Sequence, residues 1–187
     1  MKNYTSYDLI EWGKPFEKSQ HALPEPTLSE VLIRVTAAGL CHSDLHVQKG
    51  YMDLGEEGRL TFAERGAQLP MTFGHEIAGI VEAIGDKVKN VSIGQQVLVF
   101  PWIGCGDCLA CNEDRESDCS AMRIIGLKQK GGFATHCLIE NEKFLVNIDG
   151  LDAADVVPHA CSGITVYNAI EKIGSLRDGE WLAVMGC

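Results

Sequence analysis

Hydrophobic positions in the first three quarters of the chain form short runs separated by glycines. Their alternating, β-branched character is typical of half-buried strands. The predicted strands cover residues 31–39, 76–84, 96–100 and 133–138. Turns are predicted at Gly85, at Gly94 and at the pair 131–132. Many short strands with glycine turns indicate a barrel or a sandwich.

The hydrophobic period changes near residue 152. Residues 163–173 carry apolar side chains at positions 166, 169, 170 and 173, which is helical spacing. We therefore predict a domain boundary that separates residues 1–151 from residues 152–187. The last nine residues, 179–187, read as an apolar strand that runs into Gly186. Such a strand opens a βαβ nucleotide-binding unit, and without its helix and parallel partner we expect the chain to be truncated.

Composition indicates a globular protein that acts on a small molecule or on another protein. The 187 residues are 45% hydrophobic, and 16 basic against 26 acidic residues give a net charge of −10. This charge argues against nucleic acid and against an anionic membrane as partners. The sequence contains no apolar run near the ~18 residues of a membrane helix, and its N-terminal residues resemble no signal peptide. We expect a cytoplasmic location.

Four cysteines lie within fifteen residues, at the spacing C-x2-C-x2-C-x7-C: Cys105, Cys108, Cys111 and Cys119. Disulfides would require two bridges across very tight loops, whereas one zinc ion accepts four thiolates from a compact loop. Thiols also stay reduced in the cytosol. Zinc is the favoured interpretation, and a reactive or disulfide-bonded cysteine patch is the alternative.

A second group of potential ligands is scattered along the chain. It comprises the segment Cys-His-Ser-Asp-Leu-His at residues 41–46, His75 with its neighbour Glu76, and Cys161. A catalytic zinc commonly has three protein ligands and one open position, and Cys41, His75 and Cys161 could supply them. Spacing alone also allows a buried cysteine and a surface histidine.

Four motifs together carry a resemblance to a known family. They are residues 41–46, the signature G-H-E-x-x-G-x5-G-x-x-V beginning at Gly74, the four-cysteine loop, and residues 160–169. Their order resembles that of zinc-dependent alcohol dehydrogenases of the medium-chain dehydrogenase/reductase family, over effectively the whole chain. The resemblance implies a mainly β fold with some helix. Residues 1–151 would form a GroES-like, partly open β-barrel, and residues 152–187 the first helices and first strand of an incomplete Rossmann α/β domain.

The resemblance also implies roles for the scattered group. Cys41, His75 and Cys161 would ligate a catalytic zinc, and Glu76 would be a carboxylate that can approach the metal. Asp44 would accept the second N–H of the ligand imidazole.

Four other residues would serve the reaction without binding the metal. Ser43 would hydrogen-bond the reacting alcohol, and His46 would relay its proton to solvent. His42 would contact the cofactor pyrophosphate, and Thr165 would pack beside the nicotinamide.

By the same resemblance, the cofactors are one catalytic zinc, one structural zinc at Cys105, Cys108, Cys111 and Cys119, and NAD or NADP in the full-length parent. The substrate would be a small alcohol, or an aldehyde or ketone, and the parent a homo-oligomeric dimer or tetramer. We expect the 187-residue chain alone to be inactive. The alternatives are a non-catalytic GroES-like zinc module, or formaldehyde, polyol or hydroxyacyl-thioester dehydrogenation on the same scaffold.

Five further expectations concern single residues and one segment. The polar, glycine-rich residues 51–68 predict a surface loop, longer than in compact family members, that shapes the substrate entrance. Trp102 and Met52 are hypothetical pocket residues. Cys137 is expected to be buried, and His136 beside it to face solvent.

Overall fold

The structure is a computed structural model that describes residues 2–175 and 177–184. Its strands are β1 (Asn3–Leu9), β2 (Glu17–Ala22), β3 (Val31–Gly39), β4 (Tyr51–Asp53), β5 (Arg59–Thr61), β6 (Met71–Thr72), β7 (Glu76–Ile84), β8 (Gln96–Val99), β9 (Trp102–Ile103), β10 (Arg123–Ile124), β11 (His136–Ile139) and β12 (Leu145–Asn147). Its α-helices are α1 (His42–Lys49), α2 (Leu109–Asn112), α3 (Ala153–Val156) and α4 (Ser162–Ile173). Short 3₁₀ helices cover Gly55–Glu57, Glu116–Asp118, Glu142–Phe144 and Val157–Ala160.

A five-stranded antiparallel sheet in the order β11-β3-β7-β8-β12 forms most of the barrel wall. A smaller sheet, β2-β1-β6, lies against it. The Tyr7 N–H donates to the Phe133 carbonyl at 2.8 Å, and the Thr135 N–H donates to the Thr5 carbonyl at 2.8 Å. These bonds join the two sheets without closing them, so the predicted partly open barrel is confirmed.

The main core lies inside this wall and consists of aliphatic side chains. Its members alternate along the strands, as a sheet with one buried face requires. They include Val31, Ile33, Ile77, Val81, Val97, Val99, Ile103, Ile125 and Ile139. Burial of this branched aliphatic set stabilises the barrel at roughly 25 cal/mol per Å² of apolar surface removed from water.

Strands β3 and β7 form the longest ladder and determine where the candidate site lies. Their pairing runs from Val31 opposite Ile84 to Gly39 opposite Glu76. Two register shifts interrupt the ladder, one with Glu82 of β7 as the extra residue and one with Thr36 of β3, and such bulges bend a strand. The end of β3 and the start of β7 therefore meet at one edge of the barrel.

The segment 51–68 lies largely at the surface, as predicted, but part of it is a hairpin instead of a loop. Strands β4 and β5 pair as a hairpin, with Tyr51 opposite Thr61, and the Arg59 guanidinium lies 4.2 Å from the centroid of the Tyr51 ring. After the hairpin, Phe62 is buried with Leu9, Val47 and Phe73. Met52 packs against this second core.

The strand predicted at residues 133–138 begins later, because residues 133–135 bond to β1. Cys137 is buried as predicted, and burial raises the pKa of its thiol to about 12. His136 was expected to face solvent, and this prediction is wrong. Its Nε2 lies 3.3 Å from a Glu82 oxygen, and its ring packs edge-on against Tyr4 of the second sheet.

The predicted helices after residue 152 are confirmed, but they pack differently from one another. Helix α3 and the 3₁₀ helix that follows it pack on the barrel, where Val157 contacts Ala78 and Ile148. Helix α4 buries none of its residues, and Val166, Ile170 and Ile173 remain 58%, 53% and 49% exposed.

The strand predicted near the C-terminus is absent from the described part of that segment. Residues 181–184 have no regular secondary structure, because no described strand pairs with them and a lone strand leaves its backbone polar groups unpaired. Residues 185–187, which include Gly186 at the end of the predicted strand, lie outside the described residues. None of the described helices has the length and apolarity needed to cross a membrane.

Two buried polar residues of β1 join the small sheet through hydrogen bonds. The Asp8 carboxylate accepts a 2.6 Å bond from the Thr72 hydroxyl, and His21 Nε2 lies 3.0 Å from its other oxygen and 2.9 Å from Ser6 Oγ. Serine and aspartate meet the same histidine nitrogen, so this trio cannot work as a catalytic triad. Burial opposes ionisation, but the bonds from Thr72, Ser6 and His21 outweigh it and lower the pKa of Asp8.

We predict that Asp8→Asn lowers the free energy of unfolding by about 1–3 kcal/mol at neutral pH, because a buried charged acceptor is lost. A pKa below its ordinary value of 3.8 means that ionised Asp8 stabilises the fold above that value. The contribution is lost as pH falls through the folded pKa. Urea unfolding of both proteins should therefore show a difference that shrinks at acid pH, and a constant difference would contradict this account.

Candidate metal centres

The four cysteines of residues 105–119 converge in a small lobe on the barrel. Their sulfur atoms all lie within 4.8 Å of one another. Cys108 Sγ is 3.5 Å and Cys105 Sγ is 3.9 Å from Cys111 Sγ. Four sulfurs at about 2.3 Å from one zinc would be about 3.8 Å apart in a regular tetrahedron. The cluster therefore fits a tetrahedral zinc ion, and no cysteine among the described residues forms a disulfide.

The electrostatics of the lobe favour a cation at its centre. The backbone N–H groups of Asp107 and Cys108 lower the pKa of Cys105 to about 6. The Gly106 N–H favours the thiolate of Cys111, but burial and the neighbouring thiols raise the pKa of Cys111 to about 11. Four close sulfurs cannot all be negative without a compensating charge. With all four bound, a zinc ion would have no position left for substrate.

Ionic contacts attach the lobe to the barrel. Arg123 Nη2 donates to the Gly104 carbonyl at 3.1 Å and to Glu140 Oε1 at 2.7 Å. Lys143 pairs with Glu116 of the 3₁₀ helix in the lobe. These contacts fix the backbone immediately before Cys105, and no sequence motif signalled them.

The scattered ligand group also comes together. Cys41 follows β3, His75 precedes β7, Glu76 begins β7, and Cys161 lies between a 3₁₀ helix and α4. Their donor atoms all lie within 4.8 Å of one another, and the sulfurs of Cys41 and Cys161 are 3.7 Å apart. Two sulfurs, one imidazole and one carboxylate at this spacing fit a zinc ion.

Asp44 connects two members of this group. Its Oδ2 accepts the Cys41 backbone N–H at 2.9 Å, and its Oδ1 lies 3.4 Å from His75 Nδ1. Since Asp44 faces Nδ1, the other ring nitrogen of His75 is left for a metal. Burial lowers the pKa of His75, but Asp44 and Cys41 outweigh burial and raise it. Asp44 was singled out by the sequence, and it lies where a carboxylate can orient the imidazole.

Ser43 touches the same group from the first turn of α1. Its hydroxyl donates to Cys41 Sγ at 3.1 Å. Burial disfavours the Cys41 thiolate, but the Ser43 side chain and backbone outweigh it and lower the pKa of Cys41. Burial and the Cys41 charge raise the pKa of Cys161 to about 12. The two thiols are thus made unequal by their surroundings.

The two histidines of α1 pack against each other. The rings of His42 and His46 stack with centroids 4.8 Å apart and planes 14° apart. His42 is exposed and His46 is half-buried. The structure thus places Ser43 at the ligand group and His46 nearer to solvent.

A groove of about 470 Å³ runs along α4. Thr165 and Trp102 both line it, together with Phe100, Ile164 and Tyr167. The Thr165 N–H donates to the Cys161 carbonyl at 3.0 Å, so the groove adjoins the turn that carries Cys161. Of the two hypothetical pocket residues, Trp102 lies in this groove and Met52 does not.

Gly39 is a site residue that the sequence reasoning missed. It pairs with Glu76 across the β3–β7 ladder, and the Glu76 carboxylate lies over it. A Cβ atom at position 39 would be 2.9 Å from Glu76 Cβ and 3.0 Å from Glu76 Cδ, which is too close. A glycine at the end of a predicted strand, two residues before Cys41, was the available signal.

These features define a GroES-like barrel that carries two potential zinc sites. The chain belongs to the alcohol dehydrogenase GroES-like domain family, whose profile matches residues 27–150. This confirms the resemblance inferred from the motifs.

Individual relatives agree with this assignment. The chain is 40% identical over 179 residues to an NAD-dependent alcohol dehydrogenase of Sulfurisphaera tokodaii, covering 95% of this chain and 50% of the relative. The crystal structure of D-arabinose dehydrogenase from Sulfolobus solfataricus superposes with a TM-score of 0.77 at 30% identity, covering 92% of this chain and 48% of that one. An alcohol dehydrogenase from Aeropyrum pernix gives 0.77 at 27% identity, covering 90% and 48%. The chain spans about half the length of the curated relatives it matches.

We predict that the purified chain binds about two zinc ions, and that each site can be emptied separately. Cys111→Ser should remove the lobe zinc, and His75→Ala should remove the other, each leaving about one ion by elemental analysis. Circular dichroism should show a larger loss of structure for Cys111→Ser, because structural zinc contributes to folding. Retention of a single zinc by the unmodified chain would contradict the two-site account.

We predict that Gly39→Ala displaces the Glu76 carboxylate from the second site. When cobalt occupies the second site, Gly39→Ala should change the visible absorption spectrum in the same way as Glu76→Gln does. The double variant Gly39→Ala/Glu76→Gln should show little further change in absorption. Two substitutions that act through the same side chain do not have additive effects. The lobe zinc content is the internal control. An undiminished effect of Gly39→Ala in the Glu76→Gln background would show that Gly39 acts by another route.

Proposed function

We propose that this chain is the catalytic domain of a zinc-dependent alcohol dehydrogenase. Such an enzyme transfers a hydride from an alcohol to NAD(P)+, or in the reverse direction from NAD(P)H to an aldehyde or ketone. The convergence of Cys41, His75, Glu76 and Cys161 within 4.8 Å is the observation that carries the proposal. A non-catalytic zinc module would need only the four-cysteine lobe and would leave this group unexplained.

Two sets of residues would hold zinc. Cys41, His75 and Cys161 would bind the catalytic ion, with Glu76 as a fourth donor that can give way to substrate. Cys105, Cys108, Cys111 and Cys119 would bind the structural ion. When bound, the catalytic zinc supplies the Lewis acidity that lowers the pKa of an alcohol.

The proton of the alcohol would leave along α1. Ser43 and His46 are three residues apart, so their side chains lie on one face of the helix. The Ser43 hydroxyl is close enough to the ligand group to donate to Cys41 Sγ. It would accept the proton of a bound alcohol while releasing its own hydroxyl proton towards His46. His46 is half-buried and would pass that proton to water.

Asp44 would act as a positioning residue. Its bonds to the Cys41 backbone and the His75 imidazole would hold two ligands in a fixed relative orientation. A ligand that is oriented in advance loses little conformational entropy when the metal binds.

The cofactor would be NAD, as the name of the Sulfurisphaera tokodaii relative suggests, and it would bind beside α4. Thr165, in the groove next to Cys161, would pack against the nicotinamide, and His42, exposed on α1, would contact the pyrophosphate. The substrate would be a primary or secondary alcohol, or its aldehyde or ketone.

The wider organisation belongs to the same proposal. Residues 1–151 would form the catalytic domain, and residues 152–187 would begin the nucleotide-binding domain. The enzyme would be cytoplasmic and homo-oligomeric, with neither nucleic acid nor membrane as partner. The acidic charge of −10 supports the last two points.

Alcohol binding to the cobalt-substituted chain tests this proposal. With cobalt at the Cys41–His75–Cys161 site and zinc in the lobe, 1-propanol should shift the visible absorption in a saturable way. Ser43→Ala should weaken that binding about two- to tenfold, because one hydrogen bond is lost. Cys161→Ser should abolish it.

A matched control is Ser92→Ala, which alters a serine in the exposed turn before β8. It should bind 1-propanol like the unmodified chain. Two bound metal ions with no response to alcohol at any concentration would contradict the dehydrogenase proposal and favour a binding module.

A further inference from the structure

A second cavity lies outside both ligand groups. It measures about 330 Å³ and separates the turn that follows β5 from the segment that follows the fourth cysteine of the lobe. Its lining residues are Phe62, Arg65, Ala67, Ser120, Met122, Ile124, Leu127 and Lys128. This volume is within the range of small-molecule sites.

The charge of this cavity is opposite to that of the whole chain. Arg65 and Lys128 line it, and none of its lining residues is acidic, although the chain carries a net charge of −10. Among the described residues, the ion pairs of arginine and lysine involve Arg34, Arg115, Arg123, Lys143 and Arg177. The two cavity cations are therefore not neutralised by a carboxylate within ion-pair distance.

Arg65 and Lys128 each lie in a turn that is closed by backbone hydrogen bonds. The Phe62 carbonyl accepts from the Arg65 N–H at 3.1 Å and from the Ala67 N–H at 3.0 Å. The Ile124 carbonyl accepts from the Leu127 N–H at 3.1 Å and from the Lys128 N–H at 2.9 Å. The backbones below both side chains are thus fixed before any ligand arrives, which reduces the entropic cost of binding.

Most of the other lining residues are apolar, and two of them belong to the second core. Phe62 is buried in the second core, and Leu127 packs against the same core. The Ser120 hydroxyl adds one hydrogen-bonding group. A few polar groups in an apolar wall suit a ligand with an apolar body and a charged end.

We propose that this cavity binds the anionic group, a carboxylate or a phosphate, of a small organic molecule. Arg65 would make the directional contact, since guanidinium binds both groups through paired N–H donors, and Lys128 would add a second positive charge. Segment 51–68 thereby acquires a function beyond packing. Met122 lines both this cavity and the groove beside Thr165, so the two spaces adjoin. The binding proposal does not depend on the proposed dehydrogenase activity.

Titration calorimetry on the zinc-loaded chain tests the site with three probes of similar size: benzoate, phenyl phosphate and the neutral benzamide. Benzoate or phenyl phosphate should bind with a stoichiometry of about one and more tightly than benzamide, and their ranking decides between carboxylate and phosphate. Arg65→Gln combined with Lys128→Gln should weaken binding of the anion about tenfold or more, because two charge-assisted contacts are lost.

The matched control is Lys2→Gln combined with Lys87→Gln, which removes the same charge from exposed positions elsewhere. This control should bind the anion like the unmodified chain. The single variant Lys128→Gln, on an exposed side chain, provides a second test that spares the Arg65 turn. Equal binding of benzamide, an equal loss in the control, undiminished binding in the cavity variants, or no saturable binding would overturn the proposal.

Discussion

The antiparallel pairing of β3 with β7 is the constraint on which the second metal site depends. In an antiparallel ladder the end of one strand faces the start of the other. Because Gly39 pairs with Glu76, the ladder brings Cys41 beside His75 although they are 34 positions apart in sequence. The packing of Val157 on Ala78 then carries Cys161 to the same point. Any shift in this register would separate the ligands.

The same arrangement concentrates polar groups where water is scarce, and this links metal binding to stability. His75, Glu76 and Asp44 are all buried, and two thiols lie beside them. Close carboxylates and thiolates repel one another in a medium of low dielectric, and a divalent cation removes that repulsion. Asp44 accepts the Cys41 backbone N–H and lies 3.4 Å from His75 Nδ1, and these contacts offset the cost of burying its carboxylate.

The features that could be predicted from the sequence are those determined by residues close together in the chain. The four-cysteine lobe was found from spacing, and β3 and β7 from their apolar character. Strand β1 was not predicted, because its buried positions include the polar residues Ser6 and Asp8. Hydrogen bonds, and not apolar contacts, allow these two side chains to be buried. His136 is covered by Glu82 and Tyr4, which are distant in the chain. The β4–β5 hairpin is local, but its polar, glycine-rich sequence favoured a loop. For the scattered ligands, only the order of the motifs identified the set, and Gly39 required the structure.

X-ray absorption spectroscopy of the zinc-loaded chain tests the central claim that the ladder assembles a mixed-ligand site beside a four-sulfur lobe. Four sulfurs at one site and two at the other predict an average of about three sulfurs, near 2.3 Å, and one lighter neighbour per zinc. The Cys111→Ser chain, if it retains one zinc, should show about two sulfurs. An average near four sulfurs in the unmodified chain would mean that only the lobe holds zinc and would contradict the account.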